Sequence, residues 1–325
     1  MLAPIILFAY ARPKHLTKTI QALVKNKEAL ESNLYVFVDG LKQNASEVTI
    51  QNHIEVNNYV ESIKGFKKVT VYKSLENKGL ARSIIAGVTH IIEKYKVAIV
   101  LEDDLIVSEH FLTYMNKALD TYAFNEKVMQ IGGYQFSVPD DGSNFFVHLQ
   151  SFTSSWGWAT WKRAWDHFLP NADGFERLLS NKSLASKFNL HGAYPYTQML
   201  QKQMLTKTID SWAVRWYYSV FIKKGLVLYP SKSLVYNNGF DESATHTKHA
   251  LTQKSSESEL MKEAVETAFN ITKTSIDKKV FKQVQQYLKK EMQLNPHQKI
   301  SFFIKKKWQN TKAKVMSKLW IPLKK

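Results

Sequence analysis

Four short apolar runs open the chain, and a longer segment of different pattern separates each from the next. They are Pro4–Tyr10, Leu34–Val38, Lys68–Tyr72 and Val97–Leu101. Runs of this length, apolar on both sides, suit strands buried on both faces of a parallel sheet. After the first run, Leu16, Ile20, Leu23 and Val24 recur at helical spacing, and Pro13 suits a first helical turn. Before the fourth run, Ile84, Ile85, Val88, Ile91 and Ile92 mark one face of another helix. The segment between the second and third runs is polar and helix-compatible. The order β-α-β-α-β-α-β predicts an α/β fold with helices on both faces of a mostly parallel sheet.

Beyond Gly132-Gly133 the pattern is less regular. Phe145–Leu149 and Leu226–Pro230 are expected as strands, and Trp158–Phe168, Tyr196–Leu205 and Ser211–Ile222 as helices. Near residue 250 the composition shifts. From Ser255 onward the chain is rich in Lys, Glu and Gln with helical periodicity and no glycine, and Asn295-Pro296 breaks it in two. The expected organisation is a chemistry-bearing domain over residues 1–250 and a helical appendage over residues 251–325.

Composition excludes several classes. Apolar residues at 44% and aromatics at 13% argue against disorder. The absence of cysteine excludes a disulfide scaffold, a thiolate nucleophile and Cys-ligated zinc. No run approaches a membrane span. The N-terminal run lacks a preceding positive region and a small-residue cleavage site, so it is expected to be a buried strand starting near Met1 in a cytoplasmic protein.

The strongest chemical signal is Glu102-Asp103-Asp104, three carboxylates closing an apolar strand. Ligands of open parallel sheets bind outside such strand ends. Three half-buried like charges are costly unless a cation compensates them, and oxygen donors suit Mg(II) or Mn(II). The competing reading is a solvated acidic turn or helix N-terminus. Arg12 after the first strand, Asp39 after the second, and Asn77-Lys78-Gly79-Leu80-Ala81-Arg82 after the third fall on the same edge. A nucleoside diphosphate would want cations and a helix N-terminus for its phosphates and an acid for base or ribose.

Together these segments resemble the GT-A, Rossmann-like fold of nucleotide-sugar glycosyltransferases, in particular bacterial relatives of the inverting N-acetylglucosaminyltransferase I type. The resemblance spans roughly residues 3 to 250. It implies that Asp104 binds Mn(II) or Mg(II), which chelates the donor diphosphate. It places Asp103 and Glu102 near the donor ribose and sugar, Arg12 on the nucleotide, and Asp39 on the base. Thr208-Ile209-Asp210-Ser211-Trp212 resembles the segment carrying the family's catalytic base, which makes Asp210 the candidate. Its competing role is an N-cap for the helix that follows. Ser243-Ala244-Thr245-His246 resembles the loop that closes over the diphosphate, with Thr245 and His246 as contacts. The donor implied is a UDP-sugar. Lys78 and Arg82 are further candidates for the donor side.

Six of the eight tryptophans fall between Trp156 and Trp216. Trp161 with Trp165, and Trp212 with Trp216, are spaced as core residues. Trp156, Trp158 and Trp212 are the candidates for stacking on a sugar.

The net charge is +17, of which Lys278 to Lys325 hold +13, leaving +4 to residues 1–277. Phe302, Phe303, Trp308, Leu319, Trp320 and Ile321 are interleaved with these lysines, as in an interfacial membrane helix. No nucleic-acid recognition pattern accompanies them. The sequence therefore predicts a glycosyltransferase of the hexosyltransferase class, peripheral at the inner face of the cell membrane. It would act in cell-envelope polysaccharide biosynthesis on a glycan or lipid-linked glycan. A sugar nucleotidyltransferase is the alternative enzyme, but the loop after the first strand lacks the glycines that class needs. A non-enzymatic basic membrane- or nucleic-acid-binding protein is the third reading.

Overall fold

A computed structural model describes residues 2–138, 147–240, 260 and 274–294. The chain runs β1 (Ile5–Ala9), α1 (Pro13–Val24), β2 (Asn33–Val38), α2 (Glu47–Glu61), β3 (Lys68–Lys73), α3 (Leu80–Tyr95) and β4 (Val97–Glu102). It continues through β5 (Leu105–Val107), α4 (Phe111–Thr121), β6 (Val128–Gly132), β7 (Val147–Gln150), β8 (Trp158–Trp161) and α5 (Lys162–Trp165). Next come α6 (Glu176–Ser180), α7 (Lys182–Phe188), α8 (Tyr196–Gln201), a π-helical turn (Lys202–Thr206) and α9 (Trp212–Ile222). The last elements are β9 (Leu226–Pro230), β10 (Val235–Asn237) and α10 (Lys278–Leu294).

The eight-stranded sheet has the order β3-β2-β1-β4-β8-β6-β9-β7. Pairs β3–β2, β2–β1, β1–β4 and β6–β9 are parallel; β4–β8, β8–β6 and β9–β7 are antiparallel. The expected α/β architecture with a mostly parallel, helix-flanked sheet is what forms.

The order has a consequence for the site. From β1 through β3 the chain steps one way along the sheet, and from β3 to β4 it returns past its starting point. Right-handed crossovers then put α1 and α2 on one face and α3 on the other. The reversal point lies between β1 and β4, and its carboxyl edge is where an open α/β sheet forms a crevice. Burial follows the sequence pattern: Ile5, Ile6, Leu7 and residues Ala98–Leu101 are fully enclosed, as are Leu16, Leu23, Ile84, Val88 and Ile92 on the helices that cover them.

One element differs from the expectation. Trp158–Trp161 is not helical; it forms β8, wedged antiparallel between β4 and β6, and only α5 continues as a single helical turn. The four residues are all buried, so their three-residue Trp spacing has no polar face to report on. Pairing with two neighbouring strands decides their state.

Helix α10 docks on the sheet. Val284 and Leu288 are buried, the Tyr287 ring lies 5.9 Å from Phe136, and the Asp277 N–H donates to Leu149 O of edge strand β7 at 3.0 Å. Its Lys278, Lys279, Lys282, Lys289 and Lys290 face outward, exposed. No described helix is long and apolar enough to cross a membrane.

Candidate active site

β4 delivers Glu102, Asp103 and Asp104 to the crevice beside β1. Asp103 is buried: its Oδ2 accepts the Tyr10 N–H at 3.3 Å, and its carbonyl accepts the Thr19 hydroxyl at 2.8 Å. Arg12, in the bend between β1 and α1, donates from Nη1 to Asp104 Oδ2 at 2.7 Å, with both side chains only 16% exposed. Burial, then Asp104 and Asp103, push the Glu102 carboxyl up to about 8. Burial, then Asp104, push Asp103 up to about 7. Asp104 is also raised by burial, with Arg12 opposing the rise. Desolvated like charges are the physical cause in each case.

Antiparallel β5–β10 pairing folds residues 238–240 back over this edge. Asn238 N–H donates to Asp104 O at 2.8 Å, and His15 Nε2 lies 3.2 Å from Asn238 O. A Cβ at Gly239 would overlap the Asp104 carboxylate, so only glycine lets the backbone pass this close.

Asp39, at the end of β2, is almost enclosed and fully engaged. Its Oδ1 accepts the N–H groups of Gly40 (3.0 Å) and Lys78 (2.8 Å); its Oδ2 accepts Gly79 N–H (2.9 Å) and the Asn77 amide (3.1 Å). These four bonds fill the carboxylate's acceptor positions. Asp39 thereby ties the β3–α3 loop to β2 and fixes the N-terminus of α3. The sequence reads Asp39-Gly40 as a turn or a base contact; here Gly40 is needed because the Glu76 backbone lies against it. The side chains of Lys78 and Arg82 are exposed at this helix start.

Asp210 precedes α9 and is exposed. Its Oδ1 accepts Arg215 Nη2 at 2.9 Å and the Gln203 amide at 3.4 Å. The capping role belongs to Ser211, whose Oγ accepts from Val214 N at 3.4 Å. Gln203 sits in the π-helical turn and also accepts Ser211 N–H at 2.6 Å, so the turn sets the start of α9. Trp212 and Trp158 are buried and stacked 5.1 Å apart. Trp158 pairs with Val100, two residues before Glu102, which brings the start of α9 toward the acid edge. Trp156 is half-buried instead, its ring 4.5 Å from Tyr134 and 5.5 Å from Phe240, the residue after Gly239. Of the three tryptophans, Trp156 is the one with a surface beside the crevice.

The structure thus gathers Arg12, Glu102, Asp103 and Asp104 at one point and Asp39 with Lys78 at the neighbouring strand end. Thr245 and His246 lie outside the described residues. Tyr10, Gln203 and Gly239 take part without having been legible as site residues. Gln203 has no patterned spacing to Asp210, and Gly239 acquires its role only through β5–β10 pairing.

Among the described residues no cluster of three or more His, Asp or Glu side chains surrounds a common point. An all-protein metal cage is therefore not built there. The donor set does fit Mg(II) or Mn(II) held by one or two carboxylates and completed by substrate phosphates and water, with Asp104 as the ligand.

No protein-family model matches the chain, and no curated protein sequence does. Among solved structures it is similar to TarS 1–349 of S. aureus (12% identity, 74% of this chain and 61% of that one, TM-score 0.41). It is also similar to a second S. aureus TarS structure (11%, 47% and 25%, TM-score 0.32). A third is the mannosyltransferase PcManGT from Pyrobaculum calidifontis in complex with GDP-Man and Mn2+ (8%, 68% and 74%, TM-score 0.37). The chain spans about three fifths of the first of these. Overlaps of this size leave the chemistry to this chain's own side chains.

Proposed function

We propose that the chain is a metal-dependent inverting glycosyltransferase of GT-A type, related to the N-acetylglucosaminyltransferase I group. It moves a hexose from a nucleotide-sugar, a UDP-sugar by that resemblance, to a glycan or lipid-linked glycan. The observation that carries the reading is the crevice at the β1/β4 reversal point, where three desolvated carboxylates face a single arginine.

Arg12 and the N-terminus of α3 offer positive charge to the diphosphate, while Asp103 and Glu102 are available to hydroxyls of ribose and sugar. Neutralising the departing diphosphate is the chemistry a divalent cation on Asp104 supplies. Asp210 takes the proton of the acceptor hydroxyl as that oxygen bonds to the anomeric carbon and the carbon–phosphate oxygen bond breaks. The bond electrons leave with the nucleoside diphosphate. Arg215 and Gln203 hold the Asp210 carboxylate in place. The half-exposed Trp156 ring offers an apolar face to a sugar.

The exposed lysines of α10 and the basic, aromatic segment after it support docking on the anionic inner face of the cell membrane. The test of activity is nucleotide release from a panel of UDP-, GDP-, CMP- and TDP-sugars with Mn(II), comparing wild type with Asp104→Ala and Asp210→Asn. Neither hydrolysis nor metal-dependent donor binding in wild type would sink the enzyme reading. Unchanged turnover in Asp210→Asn would remove the base assignment alone.

A further inference from the structure

The Arg12–Asp104 ion pair occupies the carboxylate that the proposed reaction assigns to a divalent cation. The contact is short at 2.7 Å and mostly shielded from water, with 16% exposure on each side. Arg12 is also the one cation that opposes the raised proton affinity of all three carboxylates, since it lowers Glu102, Asp103 and Asp104 alike. Its guanidinium fits there because residue 239 is glycine: a Cβ at that position would come 3.1 Å from Nη1. Arg12 precedes α1 in non-helical backbone, and its reach comes from its own side chain.

We infer that Arg12 is the resident counter-ion of Asp104, so that a divalent cation alone binds weakly and a cation arriving with a diphosphate binds well. This rests on the glycosyltransferase reading. Removing one partner of a shielded ion pair leaves a buried charge uncompensated, which is strongly unfavourable. Metal alone would displace Arg12 and leave it facing Asp104 and the new dication at once. A diphosphate changes this balance, because it gives the guanidinium a bidentate acceptor at the moment Asp104 gains the cation. Both exchanges then keep every charge paired. Metal and nucleotide binding become mutually reinforcing, each tightening the other by the same factor.

The test is Mn(II) binding by full-length protein, read as loss of the electron-spin-resonance signal of free Mn(II). It is run with Mn(II) alone and with UDP or GDP, after correction for Mn(II) bound to nucleotide in solution. A pair closed in nine of ten molecules depresses metal affinity about tenfold. Arg12→Gln is therefore expected to bind Mn(II) alone about tenfold tighter than wild type, and to gain less from nucleotide. Arg12→Met, which keeps the aliphatic stem, takes its place if circular dichroism shows the Gln variant misfolded. Arg12→Lys keeps the charge and is expected to stay near wild type. Mn(II) bound by wild type with nucleotide, but no tighter by Arg12→Gln or Met alone, overturns the inference and leaves the enzyme reading intact. The same holds if Arg12→Lys gains as much as Arg12→Gln, since space and not charge would then be the cause. No Mn(II) binding by any protein, even with nucleotide, removes the metal reading and this inference with it.

Discussion

Replacing Asp39 with Asn keeps the side chain's shape and changes what it can accept. Four donors converge on the carboxylate: Gly40 N–H, Lys78 N–H, Gly79 N–H and the Asn77 amide, at 2.8 to 3.1 Å. An asparagine oxygen can still serve one pair of these, but its NH2 group then faces the other pair, donor against donor. Bonds to an ionised acceptor are each worth about 1.5–3 kcal/mol. Two of the donors lie at the start of α3, where a negative charge adds roughly 0.3–1 kcal/mol through the helix dipole. Water can reach the half-exposed loop and recover part of the loss. The net cost is then about 2–4 kcal/mol, or a fall in Tm of roughly 4–12 °C for a chain of this size. Differential scanning calorimetry of the two proteins reads it directly. Asn77→Ala removes a single donor and is expected to cost only about 1 kcal/mol. A Tm for Asp39→Asn within about 1 °C of wild type would show that Asp39 does not hold the β3–α3 loop, and the four-bond argument would fail.

Two glycines next to charged groups separate cost from function. Gly40→Ala drives a Cβ into the Glu76 main chain and is expected to lower stability by about 1–3 kcal/mol in urea unfolding. Gly239→Ala meets only the Asp104 carboxylate, which can swing aside, so Mn(II) binding with nucleotide is expected to weaken while unfolding shifts less. Trp158→Ala empties a fully buried site and is expected to cost about 3–5 kcal/mol by circular dichroism in urea, with Trp156→Ala clearly milder. Glu102 and Asp103 have folded pKa values of about 8 and about 7, above the usual carboxylate range. The folded state therefore binds more protons than the unfolded one, so in EDTA these groups make stability fall as pH rises from about 4 to about 8. Glu102→Gln is expected to flatten that fall in Tm measured against pH, and a decline as steep as wild type's would refute the linkage. For the basic tail, flotation with anionic and neutral vesicles is expected to show anionic-dependent binding by the full chain that is lost in a chain ending at Asn295.

The parts of the molecule that were legible in sequence are those whose state is set locally. Strands β1 to β4 are enclosed on both sides, so each reads as an unbroken apolar run, and α1 and α3 bury one stripe at helical spacing. Once their order along the chain is known, right-handed crossovers leave little freedom, and the β1/β4 crevice follows. That is why Arg12 and the acid triplet could be placed together without a structure. The second half lacks this property. Strands β5 and β10 have three residues each, too few for a period to show, and they exist through one another. Strand β8 carries four buried residues whose helical spacing is accidental. The roles that depend on such pairings, Gly239 against Asp104 and Trp156 beside Phe240, were accordingly hidden.

The charge distribution follows the same division and gives it a physical use. Residues 1–277 hold +4 of the +17, yet the crevice they build is locally acidic, with three carboxylates against Arg12. A nucleoside diphosphate approaching without a cation would meet net repulsion there, and a cation without a diphosphate would meet Arg12. Only the pair together leaves no charge uncompensated. The +13 between Lys278 and Lys325 cannot serve this local balance, because α10 packs on the β7 edge with its lysines turned to solvent. Charge that far from the crevice is screened over about 8 Å at physiological salt. It is free to bind a surface without altering the site, which is why tail and acid triplet call for separate experiments.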